Sequence, residues 1–279
     1  PRLAYQLALT TDPGVPSVEE STDTRYQIAS RTINEKTTIR TGAKLPFDIT
    51  TTLRYNYVTN EQIGTNNTKQ NQLSFPDITA NWNGLGKLFF FPKIASNVRT
   101  NAHYIHENKK NYEAGALKTE GINNDFNPLI SLNMNLRIGV NTEYSSSWRD
   151  GKDYTYTAAT TTVSHNAEIT HKFTASYSIR GTKGFKIPLI GTLKFENQLS
   201  FSLSVQNAIR KAESWVAGNE EEVSVTRDDN EWSITPSASY QFSRNIHGGM
   251  ELKWIDTRDN KTDKVHHVRD VSIWVELKF

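Results

Sequence analysis

Residues that could do chemistry are few in this 279-residue chain, and they are badly spaced for it. There is no cysteine, no phosphate-cradling glycine loop and no Gly-x-Ser-x-Gly elbow. His266 and His267 adjoin, but neighbours on a strand point to opposite faces, so they cannot chelate one ion together. His165 and His171 share a parity, which makes a metal pair conceivable. Six residues along a strand is roughly 20 Å, however, so they read as histidines at a layer boundary or a loop end. Ser200, Ser202 and Ser204 line one strand face, the raw material for a serine–histidine lipid hydrolase, but no histidine stands at a recognisable spacing from them. Glu220, Glu221 and Glu222 read as a solvated loop, with a calcium or partner role as the alternative. No catalytic, cofactor or metal residue is assigned, and no enzyme activity is expected.

The elements that carry these residues are strands. Val271, Ile273, Val275, Leu277 and Phe279 occupy alternate positions at the C-terminal end, with Ser272, Trp274, Glu276 and Lys278 between them. One parity is apolar and the other mostly polar. A strand that ends on an aromatic residue resembles the assembly signal of bacterial outer-membrane barrel proteins; an edge strand of a soluble sandwich is the alternative. The same alternation recurs along the chain. Phe47, Ile49, Thr51, Leu53, Tyr55 and Tyr57 oppose Asp48, Thr50, Thr52, Arg54 and Asn56. Leu193, Phe195, Leu199, Phe201, Leu203 and Val205 oppose Lys194, Glu196, Gln198, Ser200, Ser202 and Ser204.

About twelve such strands are predicted, of the ~10-residue kind that spans an outer membrane. Links near Pro46, Arg137, 181–186 and Arg244-Asn245 are predicted to be short. Those at 13–24, 59–72, 107–127, 149–159, 207–222 and 257–264 are polar and predicted to be long loops. Alternation of short turns with long loops is the outer-membrane arrangement. The expected fold is therefore all-β, an antiparallel transmembrane β-barrel in which residues 1–279 are one domain, either closed or an arc of a larger barrel, since both have the same alternation. Lys194, Glu196, Gln198, Ser200, Ser202 and Ser204 are expected to face the lumen. Intrastrand pairs of both signs, Lys194 with Glu196, Glu168 with Lys172, Glu251 with Lys253 and Glu276 with Lys278, predict a neutral, hydrated wall rather than an ion filter.

Composition agrees with this. Hydrophobic residues are 36% and mean hydropathy is -0.61, so no run approaches the ~20 apolar residues of a membrane helix. A net charge of +2 gives no electrostatic case for nucleic acid. The chain opens on a strand pattern, Pro1-Arg2-Leu3-Ala4-Tyr5, without an initiator methionine, and is expected to be processed or a segment of a longer polypeptide.

Three further stretches resemble the C-terminal region of the SprA family, giant barrels of Bacteroidetes-type bacteria tied to gliding motility and type IX secretion. They are Tyr5-Gln6-Leu7-Ala8-Leu9-Thr10-Thr11-Asp12-Pro13-Gly14-Val15-Pro16, Phe75-Pro76-Asp77-Ile78-Thr79-Ala80-Asn81-Trp82-Asn83-Gly84-Leu85 and Phe126-Asn127-Pro128-Leu129-Ile130-Ser131-Leu132-Asn133-Met134. The hairpin between Met134 and Val140 is shorter than the family pattern. The resemblance implies a bacterial outer-membrane location and passage of folded proteins through a very wide pore. Implied partners are membrane lipid, the barrel assembly machinery, a pore-capping barrel protein, a periplasmic plug and secreted cargo. A self-contained porin with 107–127 folded inward, and a barrel-anchored surface or adhesion protein working through its loops, are the other expectations.

Overall fold

A computed structural model describes residues 30–277 except 65, 66, 89, 188–190 and 244; the side chains of 30, 181–187 and 191–196 are not among those described. The strand expected at 3–9, and Lys278 and Phe279, lie outside the described residues, as do the side chains of Lys194 and Glu196.

The described chain is all-β: eleven antiparallel strands in one sheet, each hydrogen-bonded to its neighbours in sequence. They are β1 (Ser30–Leu45), β2 (Ile49–Gly64), β3 (Thr68–Trp82), β4 (Ala95–Glu113), β5 (Ala116–Leu136), β6 (Val140–Tyr156), β7 (Thr161–Ile187), β8 (Gly191–Val216), β9 (Ser224–Gln241), β10 (Ile246–Asp259) and β11 (Lys264–Leu277). No helix among the described residues is long and apolar enough to cross a membrane.

The alternation that defines each strand becomes two continuous faces once the register is set. On one face Tyr144 lies opposite Phe173, Phe173 opposite Val205, Val205 opposite Ile234, and Ile234 opposite Trp254. On the other, Ser202 lies between Ser176 and Ser237, and Ser204 between Thr174 and Thr235. The apolar face is not covered by any other described element: Phe201, Leu203, Met250 and Ile273 are 42%, 37%, 44% and 75% exposed. Val271, Ile273, Val275 and Leu277 all lie on it, as their parity predicts.

The links differ from expectation. The short turns near Pro46 and Arg137 and the turn between β9 and β10 are present. The turn expected at 181–186 is not, because β7 continues through it and pairs with β8 as far as Ile187 opposite Gly191. At the other end, most of what reads as long loop is strand. The links there are 65–67, 114–115, 157–160, 217–223 and 260–263. Beyond a lipid layer both faces of a strand meet water, so both parities fill with polar residues and the period-2 signal disappears while the backbone still pairs. Asn108 to Glu120 (3.1 Å), Gln70 to Asn111 (2.9 Å) and Asn111 to Thr119 (2.7 Å) hold one such polar stretch across β3–β5.

Prolines inside strands sit where a missing N–H is tolerated. Register shifts accompany Pro76 in β3 and Pro128 in β5. Pro236 in β9 faces a gap in the ladder to β10, between the pairs at Ser237 and Ile234.

Candidate functional site: a charged row across the polar face

One register row crosses all eleven strands on the polar face. It reads Arg40, Arg54, Asp77, Ile105, Asp125, Arg149, Glu168, Arg210, Asp229, Asp259, Lys264, each residue opposite the next. Five cations and five anions cancel, with one apolar interruption. Between Asp125 and Asp229 the signs alternate strictly, which is the arrangement in which adjacent strands attract rather than repel.

The pairs are made. Arg149 donates to Asp125 at 2.7 Å, and Arg54 stands 3.6 Å from Asp77. Arg210 is the hub: its guanidinium lies 3.3 Å from Glu168, 3.1 Å from Glu231 and 3.5 Å from Asp229. Arg227 also contacts the Asp229 carboxylate. The row is most buried at its centre, with the Arg210 side chain 19% exposed and that of Asp229 12%, while Arg54 and Arg149 are exposed. Beside Ile105 the network turns sideways: Asp77 bonds His103 Nε2 at 3.0 Å, and His103 Nδ1 lies 3.3 Å from the Asn127 carbonyl oxygen.

At the far end of the row Asp259 caps the β10–β11 turn. Its carboxylate accepts from the Thr262 hydroxyl (2.8 Å) and the Lys261 N–H (2.8 Å). Those bonds, the hydroxyl first, hold the carboxyl below its usual range. A lowered folded pKa stabilises above the unfolded value and is lost as pH falls through the folded one, below about 4. Amide protection factors at 260–263, taken relative to intrinsic exchange, should therefore fall below pH ~4, and Asp259→Ala should abolish that pH step.

The outer face has its own boundary. On β7 and β8 the apolar band runs from Ile179 to Ile169 and from Leu199 to Ile209, interrupted one step before its end by the opposed polar pair His171 and Asn207; on β9 it runs from Tyr240 to Trp232. Eight to ten residue steps give roughly 27–33 Å along a strand. At the ~40° tilt of a membrane barrel this is about 20–25 Å of height, close to the ~25 Å apolar belt of such barrels. Aromatic rings mark the edges: Tyr240 against Phe242 at 5.0 Å on the turn side, and Tyr104, Phe126 and Trp148 at 4.4 and 5.5 Å on the other. Just past the band the same parity becomes ionic. Asp150 holds His165 Nε2 at 2.6 Å, with Glu213 at 3.6 Å from the other ring nitrogen. On β10 and β11 the ionic groups begin earlier: Asp256, opposite Trp232, holds His267 at 2.6 Å and Arg269, opposite Trp254, at 2.7 Å.

The structure thus separates the histidines that share a parity in the sequence: His165 goes to carboxylates, His171 to the Tyr144 hydroxyl at 3.0 Å. Among the described residues no cluster of three metal-ligating side chains forms. Ser200 shares a hydrogen bond with Ser178 (2.9 Å) and accepts one from Gln198 (3.3 Å), so these expected lumen residues do lie on the polar face. Of the expected intrastrand pairs, Glu168 pairs across strands with Arg210 rather than with Lys172, while those of Lys194 with Glu196 and of Glu276 with Lys278 involve residues outside the described side chains. The sequence reading missed the row because Arg149, Arg210 and Asp259 fall in stretches it assigned to loops.

No protein-family model matches the chain, and no curated protein matches it. Among solved structures it is similar to the ferric citrate transporter FecA in its unliganded form. Identity is 10% and the TM-score 0.47, over 88% of this chain and 38% of that one. It is also similar to the alcaligin outer membrane receptor FauA from Bordetella pertussis, at 10% identity and a TM-score of 0.45, over 88% and 39%. The chain spans about two fifths of the length of these structures.

Proposed function

We propose that this chain is part of the wall of a bacterial outer-membrane β-barrel whose lumen conducts proteins, in the manner the resemblance to the SprA family implies. The observation that carries the proposal is the two-faced sheet: an apolar band of membrane height opposite a polar face whose charges cancel along one row. Within lipid every backbone group must be paired, which the continuous antiparallel ladders achieve for all strand edges except the outer edges of β1 and β11 among the described residues. A filter for small ions would concentrate one sign, whereas a hydrated wall of locked, opposite charges offers passing polypeptide little to adhere to.

Two other readings are less well supported. A narrow porin required 107–127 to fold inward, but that stretch is the β4–β5 hairpin, closed at Ala114-Gly115. A surface-adhesion role relies on long loops; the described links at that end are short, and the loop expected at 13–24 lies outside the described residues. In the proposed role the terminal strand engages the barrel assembly machinery. A pore-capping barrel protein, a periplasmic plug and secreted cargo supply gating and substrate. That role asks of the chain no cofactor, no catalysis and no nucleic-acid binding.

Depleting the protein in a bacterium that carries it should trap secreted proteins in the periplasm. Normal secretion with impaired uptake of small solutes would overturn the proposal.

A further inference from the structure

The polar pair inside the apolar band has a shape around it. His171 lies opposite Asn207, and Asn207 opposite Trp232. The next row toward the middle of the band reads Tyr144, Phe173, Val205. These six residues line a concavity of about 310 Å³, with Lys172 between the two residues from β7. A mostly apolar wall with a few polar groups, at ~300 Å³ or more, is the usual form of a small-molecule site. The polar groups are not all used. The Tyr144 hydroxyl and His171 Nδ1 share one hydrogen bond of 3.0 Å, and neither side chain makes another among the described residues. A phenol and a neutral imidazole hold two polar hydrogens and spend one here, so one donor is left over whichever group donates. Asn207 cannot use it up by donating in turn to the same acceptor: its amide nitrogen already donates to Asn230 Oδ1 at 2.6 Å and to the Glu231 carbonyl at 3.2 Å. One two-residue step, at the tilt of a membrane barrel, puts this row ~5 Å inside the end of the band. A donor at that depth is costly unless an acceptor reaches it.

We infer that this concavity binds one ester-linked acyl chain of a membrane lipid. The ester carbonyl accepts from the Tyr144–His171 pair, and the first methylenes lie over Phe173 and Val205 beside Trp232. The inference rests on the reading of the apolar face as lipid-facing, not on what crosses the lumen. The lining selects the occupant. Hydrocarbon alone would cover the spare donor without replacing its hydrogen bond. A phosphate or a charged headgroup would have to enter the apolar layer to reach it. An ester carbonyl stands where headgroup meets chain, so it is the lipid acceptor nearest this depth. The chain then runs toward the middle of the band, which is the direction from the His171–Asn207 row to the Phe173–Val205 row.

Full-length protein in detergent, titrated with a diester phosphatidylcholine and with its diether analogue, tests it by native mass spectrometry. The two lipids share headgroup and chains and differ only in the carbonyls. Wild-type protein should hold one diester molecule roughly fivefold tighter than the diether, the worth of about one hydrogen bond. His171→Leu should abolish that preference. Leucine makes the face more apolar, so a nonspecific lipid coat would be kept or strengthened by the same change. Heat modifiability on gels identifies variants that still assemble; if His171→Leu does not, the comparison of the two lipids on wild-type protein decides alone. Equal affinity of the wild type for both lipids, an undiminished preference in assembled His171→Leu, or a polypeptide adduct in place of the lipid would overturn the assignment. A protein that stays in solution without detergent and carries neither lipid would instead refute the membrane-wall reading, and the site with it.

Discussion

Leu203→Arg should lower the stability of the assembled sheet in lipid by about 2–4 kcal/mol, while Ser204→Arg, one residue along, is tolerated. Leu203 lies near the middle of the apolar run from Leu199 to Ile209, between Ala175 and Pro236 on the flanking strands. Small neighbours leave its side chain 37% exposed toward the outside. A guanidinium there must either sit in hydrocarbon or drag water to it. Ser204 sits between Thr174 and Thr235, where a long cation meets only hydroxyls and solvent. The penalty should also grade with depth: Leu203→Arg should cost more than Phe201→Arg, and Phe201→Arg more than Leu199→Arg. Unfolding titrations in urea from lipid vesicles measure all four variants. Equal losses at Leu203 and Ser204 would refute the assignment of faces, and a flat profile from Leu199 to Leu203 would refute the assignment of the band.

Arg210→Met should cost about 2–3 kcal/mol. This lies between the ~0–1 kcal/mol of an exposed ion pair and the ~3–5 kcal/mol of stripping one partner from a buried one. The intermediate figure follows from the side-chain exposures, 19% for Arg210 and 25% for Glu231 but 43% for Glu168, whose share is screened most. Methionine keeps much of the aliphatic stem's packing but leaves Glu168, Asp229 and Glu231 converging on an uncharged position. Part of the loss is therefore repulsion among those carboxylates. Adding Glu231→Gln to Arg210→Met should recover a fraction, with a coupling of roughly 0.5–3 kcal/mol typical of groups in one network. A loss under about 0.5 kcal/mol for Arg210→Met, or additive behaviour in the double variant, would show that the row is a chance alignment of exposed charges.

Much of the fold is legible in the sequence because facing is a local property. Successive Cβ atoms on a strand alternate by covalent geometry, so the parity of Leu199, Phe201, Leu203 and Val205 assigns them to one face before any partner is known. The same holds for Val271, Ile273, Val275 and Leu277, and for Ser200, Ser202 and Ser204 on the opposite parity. Where the environment is not two-sided, that signal fails. Residues 107–127 are polar on both parities because both faces are wetted, and they read as loop although they form the ends of β4 and β5. The segment 181–186 looks like a turn because of its glycines, yet its backbone pairs onward with β8.

The sequence by itself determined which residues share the apolar face and which the polar face, since that depends only on steps within one strand. The tertiary structure decided which residues meet across strands. Register depends on bulges such as those at Pro76 and Pro128 and on turn lengths distant from the residues concerned. The row from Arg40 to Lys264, the Arg210 hub and the pairing of His171 with Asn207 all belong to that second class. Each joins residues whose separation along the chain carries no trace of their contact, because a one-residue slip in any ladder would have sent them to opposite faces.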